Sequence, residues 1–172
     1  LSKHEEIQEK LFLELSEDKE PITSIDFKKT HPYLYQVILE GIRLYTAIPM
    51  SSRSNLEVDY FNGQLVPKRT SVVIPVWNIH RSEKYWEQAL VFNPSRFEGV
   101  EVNRLDHYLP FSKGERRCVG ENFSLIEVAI IVQKVIQAFK LELIGEQLPR
   151  AVSHVSLKPE NGMPIKIMER SR

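Results

Sequence analysis

The sequence has only one cysteine, Cys118, among its 172 residues. One cysteine cannot form an internal disulfide, and it excludes zinc and iron–sulfur sites that need several cysteines. The five histidines are scattered along the chain and lack the paired spacing of metal ligands. If Cys118 binds a metal, most of the coordination must therefore come from a prosthetic group.

The sequence also lacks a charge excess and a long apolar run. Its 23 basic and 23 acidic residues give a formal net charge of +0, which argues against a general nucleic-acid binder. No apolar stretch approaches the roughly 20 residues that cross a bilayer, and there is no signal peptide. The chain opens at Leu1 directly on a helical pattern, which we expect of a chain cut from a longer protein, although a processed N-terminus would look the same.

Hydrophobic periodicity predicts three long helices in one domain. Residues 4–15 carry apolar side chains four positions apart, which is the pattern of an amphipathic helix. A second helix is predicted over residues 32–45, where Pro32 suits the first turn. Residues 121–139 are apolar around so much of the helix circumference that we expect this helix to be buried on several sides.

Short β-strands are predicted between the helices and after the last one. Residues 57–61 and 64–66 flank Asn62-Gly63, a dipeptide favoured in two-residue hairpin turns. The further predicted elements are a strand over 71–76, a short helical piece over 85–89, and a final hairpin that pairs 152–157 with 163–168.

The segment from Phe111 to Gly120 surrounds the cysteine with basic residues and glycines. Lys113, Arg116 and Arg117 lie close to the thiol, and a predicted helix starts just after it. Positive side chains and a helix N-terminus both stabilise a thiolate. Two glycines within seven residues predict tight turns or a close approach to something flat.

The residues alone allow other interpretations of Cys118. A free cysteine is commonly an ordinary buried residue. A cysteine nucleophile needs a histidine nearby in space, and the sequence places none to serve. A phosphate-binding loop does not fit, because the Gly-Lys-Ser/Thr ending is absent.

Five positions of this segment match a known pattern. Phe111, Gly114, Arg116, Cys118 and Gly120 fill every fixed position of Phe-x-x-Gly-x-Arg-x-Cys-x-Gly, so the segment resembles the haem-binding signature of the cytochrome P450 family. The resemblance implies that Cys118 is the axial ligand of the iron of haem b. It also implies that the other four residues bind the cofactor, with Arg116 neutralising a haem propionate.

Two more segments resemble motifs of the same family. Glu40 and Arg43 match the Glu-x-x-Arg of its K helix, although alone they are an i, i+3 ion pair worth ~0.2–0.5 kcal/mol on an exposed helix. Arg96 lies in Phe-Asn-Pro-Ser-Arg-Phe, which resembles the family's Phe-x-Pro-x-Arg-Phe segment, with Ser95 in place of the usual acidic residue. The resemblance implies that Glu40, Arg43 and Arg96 form a buried structural triad behind the haem loop.

The same resemblance assigns roles to further positions. Arg53 matches a position that often binds a haem propionate, with a solvated arginine at a strand end as an equal alternative. Thr46, Ala47 and Ile48 match a segment that lines the substrate pocket, although the family commonly has proline there. His80 is interpreted as structural, because a lone histidine more often satisfies local hydrogen bonds than binds a ligand.

Two cations of the loop allow a further interpretation. Lys113 and Arg117 would be part of a basic patch that attracts an acidic redox partner. The alternative is an ordinary run of solvated charges.

The resemblance implies a fold as well as a site. The fold would be α+β, mainly helical with small β-sheets, and would contain the J, K and L helices, the β-hairpins and the haem-ligand loop of the family. Residues 1–172 would form a single partial domain, the C-terminal portion of that fold.

The implied function is that of a haem-thiolate monooxygenase. Such an enzyme inserts oxygen into a small lipophilic substrate with electrons from an NADPH-dependent reductase or a ferredoxin. Since the distal half of the site is not found in the sequence, the chain alone is expected to be inactive. A haem-thiolate isomerase or dehydratase and a non-catalytic truncated remnant remain as alternatives. Location stays open: the endoplasmic reticulum membrane if the protein is eukaryotic, the cytoplasm if it is bacterial.

Overall fold

Three long helices form the frame of the protein. The structure, a computed structural model, describes residues 1–18, 20–153 and 155–170. It contains α1 (Glu5–Leu15), α3 (Pro32–Leu44) and α5 (Glu121–Ala138) where the periodicity predicts helices, and it adds the short helices α2 (Phe27–Thr30) and α4 (Val76–His80). Among the described residues, no helix is both long and apolar enough to cross a membrane.

The β-structure consists of four separate antiparallel strand pairs. The pairs are β1 (Ser51–Ser54) with β4 (Ser71–Ile74), β2 (Asp59–Phe61) with β3 (Gln64–Val66), β5 (Phe139–Leu143) with β8 (Ile165–Glu169), and β6 (Ala151–Ser153) with β7 (Leu157–Pro159). The predicted turn between β2 and β3 is present, and both of its residues have positive φ, +48° at Asn62 and +78° at Gly63. Helices with small sheets confirm the predicted α+β class.

The predicted final hairpin is wrong. The segment 163–168 contributes β8, which pairs with β5 directly after α5, while β6 and β7 form a hairpin of their own. The two segments predicted to pair with each other both have the local pattern of a strand. However, β8 pairs with β5, which lies much earlier in the chain. Within the predicted strand 152–157, His154 lies outside the described residues.

Two other local predictions need correction. Residues 85–89 form turns rather than a helical piece. The predicted strand 71–76 ends at Ile74, because Pro75 lacks the N–H that a ladder needs and stands at the start of α4.

The main core lies where α1, α3 and α5 meet. Leu11, Leu34, Leu125 and Ile136 are each almost fully buried there. Burial of each such side chain stabilises the fold by roughly 1.5–3 kcal/mol. The apolar side chains of α5 are thus buried on the side of the helix that faces α1 and α3, whereas Ile131 on the same helix is exposed.

Two buried glutamines attach strand β5 and the segment before α2 to this core. The Gln8 amide donates to the Leu141 carbonyl at 3.0 Å and accepts the Leu141 N–H at 2.7 Å. Gln133 of α5 accepts the Ile22 N–H and donates to the Glu20 carbonyl, both at 3.1 Å. Each amide satisfies backbone groups that would otherwise be buried without partners.

A second, mainly aromatic cluster packs around Leu39 in the second half of α3. It contains Leu39, Trp86, Ala89, Phe97 and Tyr108, all nearly or fully buried. This cluster joins α3 to the irregular segment that leads to the cysteine loop, and so it positions the candidate site.

Candidate functional site

The loop before Cys118 is closed by its own backbone. The Cys118 N–H donates to the Phe111 carbonyl at 2.9 Å, and the Arg117 N–H donates to the Gly114 carbonyl at 3.0 Å. Ser112 and Gly114 have φ of +64° and +72°, and the left-handed region strongly favours glycine at such positions. The left-handed backbone at position 114 therefore explains why a glycine is present there.

Cys118 is exposed, so the interpretation as an ordinary core cysteine does not fit the described structure. Exposed apolar side chains lie close to it in the chain, alongside the polar residues Arg117, Glu121 and Asn122. Val119 is fully exposed, and Phe123 in the first turn of α5 is 74% exposed. A thiol bordered by uncovered apolar side chains is suited to a flat apolar group that ligates to sulfur and covers its neighbours.

Backbone conformation does not explain the glycine at position 120 within the described structure. Its φ is −85°, which any residue adopts, and a Cβ built on it would lie 3.8 Å from Cys118 Sγ, an ordinary contact. A glycine there leaves space beside the sulfur for another group to approach.

Two arginines near the loop have no acidic partner among the described residues. Arg53 of β1 donates to Ser112 Oγ at 2.9 Å and to the Ser52 carbonyl at 2.9 Å. Arg116 lies two residues before the cysteine with its side chain exposed. Both positive charges are therefore available to acidic groups of a bound cofactor.

The other two cations of the loop are paired with carboxylates. Lys113 lies 2.9 Å from Asp106, and this hydrogen bond and the nearby charge lower the pKa of Asp106. Arg117 binds both oxygens of Glu121 at 2.5 and 2.6 Å, and these hydrogen bonds raise the pKa of Arg117. At both of these positions of the predicted basic patch, a carboxylate within hydrogen-bond distance therefore compensates the positive charge.

Glu40, Arg43 and Arg96 meet in one buried network. Arg43 Nε and Nη2 donate to the two Glu40 oxygens at 2.6 and 2.9 Å. Arg96 Nε donates to Glu40 Oε1 at 3.0 Å. Glu40 and Arg43 are 0% exposed, and such buried charges are tolerated only when they are paired and hydrogen-bonded.

The network continues into the irregular segment after α4. Arg43 Nη1 donates to the carbonyls of His80 at 2.5 Å and Ala89 at 2.7 Å, and Glu40 Oε1 accepts the Asn93 N–H at 2.8 Å. Backbone groups of a long irregular segment are therefore satisfied by side chains of α3.

His80 makes a contact that the sequence did not predict. Its side chain is fully buried, and its two ring nitrogens bond to the Arg43 carbonyl at 3.1 Å and to the Leu109 N–H at 2.8 Å. Burial lowers the pKa of His80 to about 4. The sequence indicated only that a lone histidine at this position is structural, and it did not identify the contact with Leu109.

The three residues matched to a substrate pocket do not share one environment. Thr46 is 0% exposed, and its hydroxyl donates to the Ile48 carbonyl at 3.4 Å. Ala47 is exposed and its carbonyl accepts the Leu157 N–H at 2.8 Å, while Ile48 is also exposed. Only Ala47 and Ile48 therefore offer side chains to an open surface.

Side chains alone do not assemble a cluster of metal ligands in the described part of the chain. No group of three or more His, Cys, Asp or Glu residues there is placed to hold a metal ion. A single exposed thiol, uncovered apolar neighbours and two unpaired arginines fit an iron porphyrin, which supplies the remaining ligands itself.

The comparisons with known proteins agree with this arrangement. A family model described as "Cytochrome P450" matches residues 1–166. Lithocholate 6-beta-hydroxylase of Mesocricetus auratus is 32% identical over 179 residues, and cytochrome P450 4ae1 of Drosophila melanogaster is 36% identical over 177 residues. The alignments cover 100% and 99% of this chain but 35% of each relative, so the chain spans about a third of the length of these proteins.

A solved structure extends the agreement to three dimensions. The cyanobacterial CYP120A1, solved with bound retinoic acid, superposes with a TM-score of 0.88 at 25% sequence identity. The match covers 99% of this chain and 40% of that chain.

Proposed function

Because the chain belongs to the cytochrome P450 family, we propose that it supplies the thiolate-bearing part of a haem-thiolate monooxygenase, with Cys118 as the axial iron ligand. One observation carries the proposal. Cys118 stands exposed at the end of a loop closed by the Phe111 carbonyl, and its neighbours Val119 and Phe123 are uncovered. This is the arrangement that a haem face would cover.

The cofactor would be haem b, and each loop residue would have a separate task. Phe111 would pack beside the ligand, and the glycines at 114 and 120 would allow the turn and the close approach. Arg53 and Arg116 would bind the propionates, since neither has an acidic partner among the described residues. A haem with an axial thiolate supplies the activation of dioxygen when it is bound.

The triad of Glu40, Arg43 and Arg96 would act structurally rather than chemically. It holds the backbone of the segment that leads to the loop, through the carbonyls of His80 and Ala89 and the N–H of Asn93. Planar guanidinium groups suit this task because they donate in several fixed directions at once.

The substrate and electron donor are proposed at the level of chemical class. We propose a small lipophilic organic substrate, oxygen insertion from dioxygen, and electrons from an NADPH-dependent reductase or a ferredoxin. Lithocholate 6-beta-hydroxylase is named for lithocholate and the CYP120A1 structure contains retinoic acid, which supports a lipophilic substrate. Ala47 and Ile48 are the residues of the predicted pocket segment whose exposure suits such contacts.

We further propose that residues 1–172 act as one partial domain, and that oxygen insertion needs more of the family fold than this. The basis is that the chain spans about a third of the length of its curated relatives.

Titration with haemin tests ligand binding by this chain. The protein should bind one equivalent and develop the ferric spectrum of a thiolate complex. Cys118→Ala should lose the thiolate spectrum, whereas Ser112→Ala, changed on the same loop, should keep it. A thiolate spectrum that survives Cys118→Ala would refute the assignment of the ligand.

A further inference from the structure

We propose that His80 is a positioning residue that attaches the cysteine loop to helix α3. The haem-related part of this inference rests on the proposed function, but the positioning of the loop is a property of the chain itself and can be measured without cofactor.

The two ring nitrogens of His80 face two different elements. Nδ1 lies 3.1 Å from the Arg43 carbonyl in the last turn of α3, where helical carbonyls lack intrahelical partners. Nε2 lies 2.8 Å from the backbone nitrogen of Leu109, two residues before the cysteine loop begins at Phe111. The Leu109 N–H can only donate, so Nε2 must be unprotonated and Nδ1 must carry the hydrogen. The ring is therefore a neutral bridge with one defined tautomer.

Backbone hydrogen bonds of the loop connect Leu109 to the cysteine. The Leu109 carbonyl accepts the Ser112 N–H at 3.2 Å, and the Phe111 carbonyl accepts the Cys118 N–H at 2.9 Å. A displacement of Leu109 therefore moves the residues that fix the backbone of Cys118. Tyr108 gives a separate anchor, since its hydroxyl donates to the Leu39 carbonyl at 2.9 Å.

The surroundings keep the ring neutral. Burial disfavours an imidazolium, the Arg43 guanidinium and His107 would both repel it, and Glu40 is already bonded to Arg43. The rings of Trp86 and Tyr108 lie 6.5 and 5.4 Å from the His80 ring and exclude water from it. Among the described residues no carboxylate bonds to His80, so both of its hydrogen bonds are to backbone groups.

Two substitutions separate the two bonds. His80→Asn keeps a donor near the position of Nδ1 and loses the acceptor for Leu109. His80→Gln places an acceptor near the position of Nε2 and keeps the loop bond. Tyr108→Phe is the matched control, because it removes a neighbouring anchor to α3 without touching the Leu109 N–H.

Hydrogen exchange of the Leu109 amide, measured in the haem-free protein relative to amides of α5, is the first readout. His80→Asn should speed this exchange roughly tenfold or more, whereas His80→Gln and Tyr108→Phe should leave it near the unsubstituted rate. The rate of Cys118 alkylation should change in the same order. Equal exchange in the Asn and Gln variants, or an Asn variant with a protected Leu109 amide, would overturn the proposal.

A measurement on the unsubstituted protein keeps the test independent of how the variants fold. Nitrogen NMR of the histidine rings should show His80 as the neutral Nδ1–H tautomer with a coupling across the hydrogen bond from Leu109 N to Nε2. The Nε2–H tautomer, or the absence of that coupling, would refute the bridge.

The haem-loaded protein separates this proposal from the proposed function. His80→Asn should raise the fraction of the reduced carbon-monoxide complex whose Soret band has lost the thiolate position, and His80→Gln should raise it less. If the unsubstituted protein binds no haem, the proposed function fails, while the exchange and tautomer results still decide the role of His80.

Discussion

Glu40 and Arg43 bind each other through two hydrogen bonds of 2.6 and 2.9 Å, and both side chains are completely buried. The pair is therefore far from the solvated i, i+3 ion pair that its spacing alone would indicate. Removing one partner of a buried pair leaves an uncompensated charge, which costs roughly 3–5 kcal/mol.

Glu40→Gln should accordingly lower the free energy of unfolding by about 3–5 kcal/mol, because both Arg43 and Arg96 lose their carboxylate. Denaturant unfolding measures this loss. The control is Glu57→Gln, which breaks the exposed pair of Glu57 with Lys68 and should cost about 0–1 kcal/mol. Similar losses in the two variants would contradict a structural role of the buried network.

The stability of the protein should depend on pH through His80. Burial lowers the pKa of His80 from its ordinary value of 6.5 to about 4, so between these values the unfolded chain binds a proton that the native chain does not. The contribution is complete above pH 6.5 and is lost as the pH falls toward 4, by about 3 kcal/mol in total.

Unfolding free energies at pH 7 and pH 4.5 measure this loss. His80→Gln has no proton to bind and should show a smaller difference between the two pH values. Burial also lowers the pKa values of His4 and His107, so their contribution has the same sign and remains in the variant. An unchanged difference in His80→Gln would contradict the assignment to His80.

The two glycines of the loop should respond differently to alanine. Gly114→Ala forces a Cβ into a left-handed backbone at φ +72° and should destabilise the protein by about 1–2 kcal/mol. Gly120→Ala should leave the haem-free stability nearly unchanged, because its backbone is permissive and the added Cβ meets only the sulfur at 3.8 Å. Thermal unfolding and haemin titration together make the test. We expect Gly120→Ala to weaken haem binding, and unimpaired binding would contradict a close approach of the cofactor at this position.

The two arginines without an acidic partner among the described residues should matter for haem binding, and the paired Lys113 should not. Arg116→Gln and Arg53→Gln should each weaken haem affinity about tenfold, which is about 1.4 kcal/mol, through loss of a propionate contact. Lys113→Gln is the matched control, since its charge is already bound to Asp106. Equal effects of Arg116→Gln and Lys113→Gln would show that only general charge attracts the cofactor.

The sequence predicted those parts of the fold that depend on local patterns. Periodicity located α1, α3 and α5, and Asn62-Gly63 located the turn between β2 and β3, because an i, i+4 stripe and a positive-φ dipeptide carry their own geometry. The partner of β8 was missed because it is chosen by contacts with β5, which lies more than twenty residues earlier in the chain.

The same distinction holds for the candidate site. The motif residues were identified from the sequence because the family pattern specifies their spacing. In the structure, Glu40, Arg43 and Arg96 lie together, as the resemblance implies. The bond from Leu109 to His80 joins residues 29 positions apart, and no local pattern predicts it. Arg117 and Glu121 are four positions apart in the sequence, but whether two such charges are solvated or paired depends on the three-dimensional structure.

The reduced carbon-monoxide difference spectrum tests the central claim most directly. Haem-loaded protein should show the red-shifted Soret band that gives the family its name, because that position requires an axial thiolate. Cys118→Ala should lose this band while other variants of the loop, such as Ser112→Ala, retain it. Folded, haem-loaded protein that lacks the band, or a Cys118→Ala variant that keeps it, would contradict Cys118 as the iron ligand.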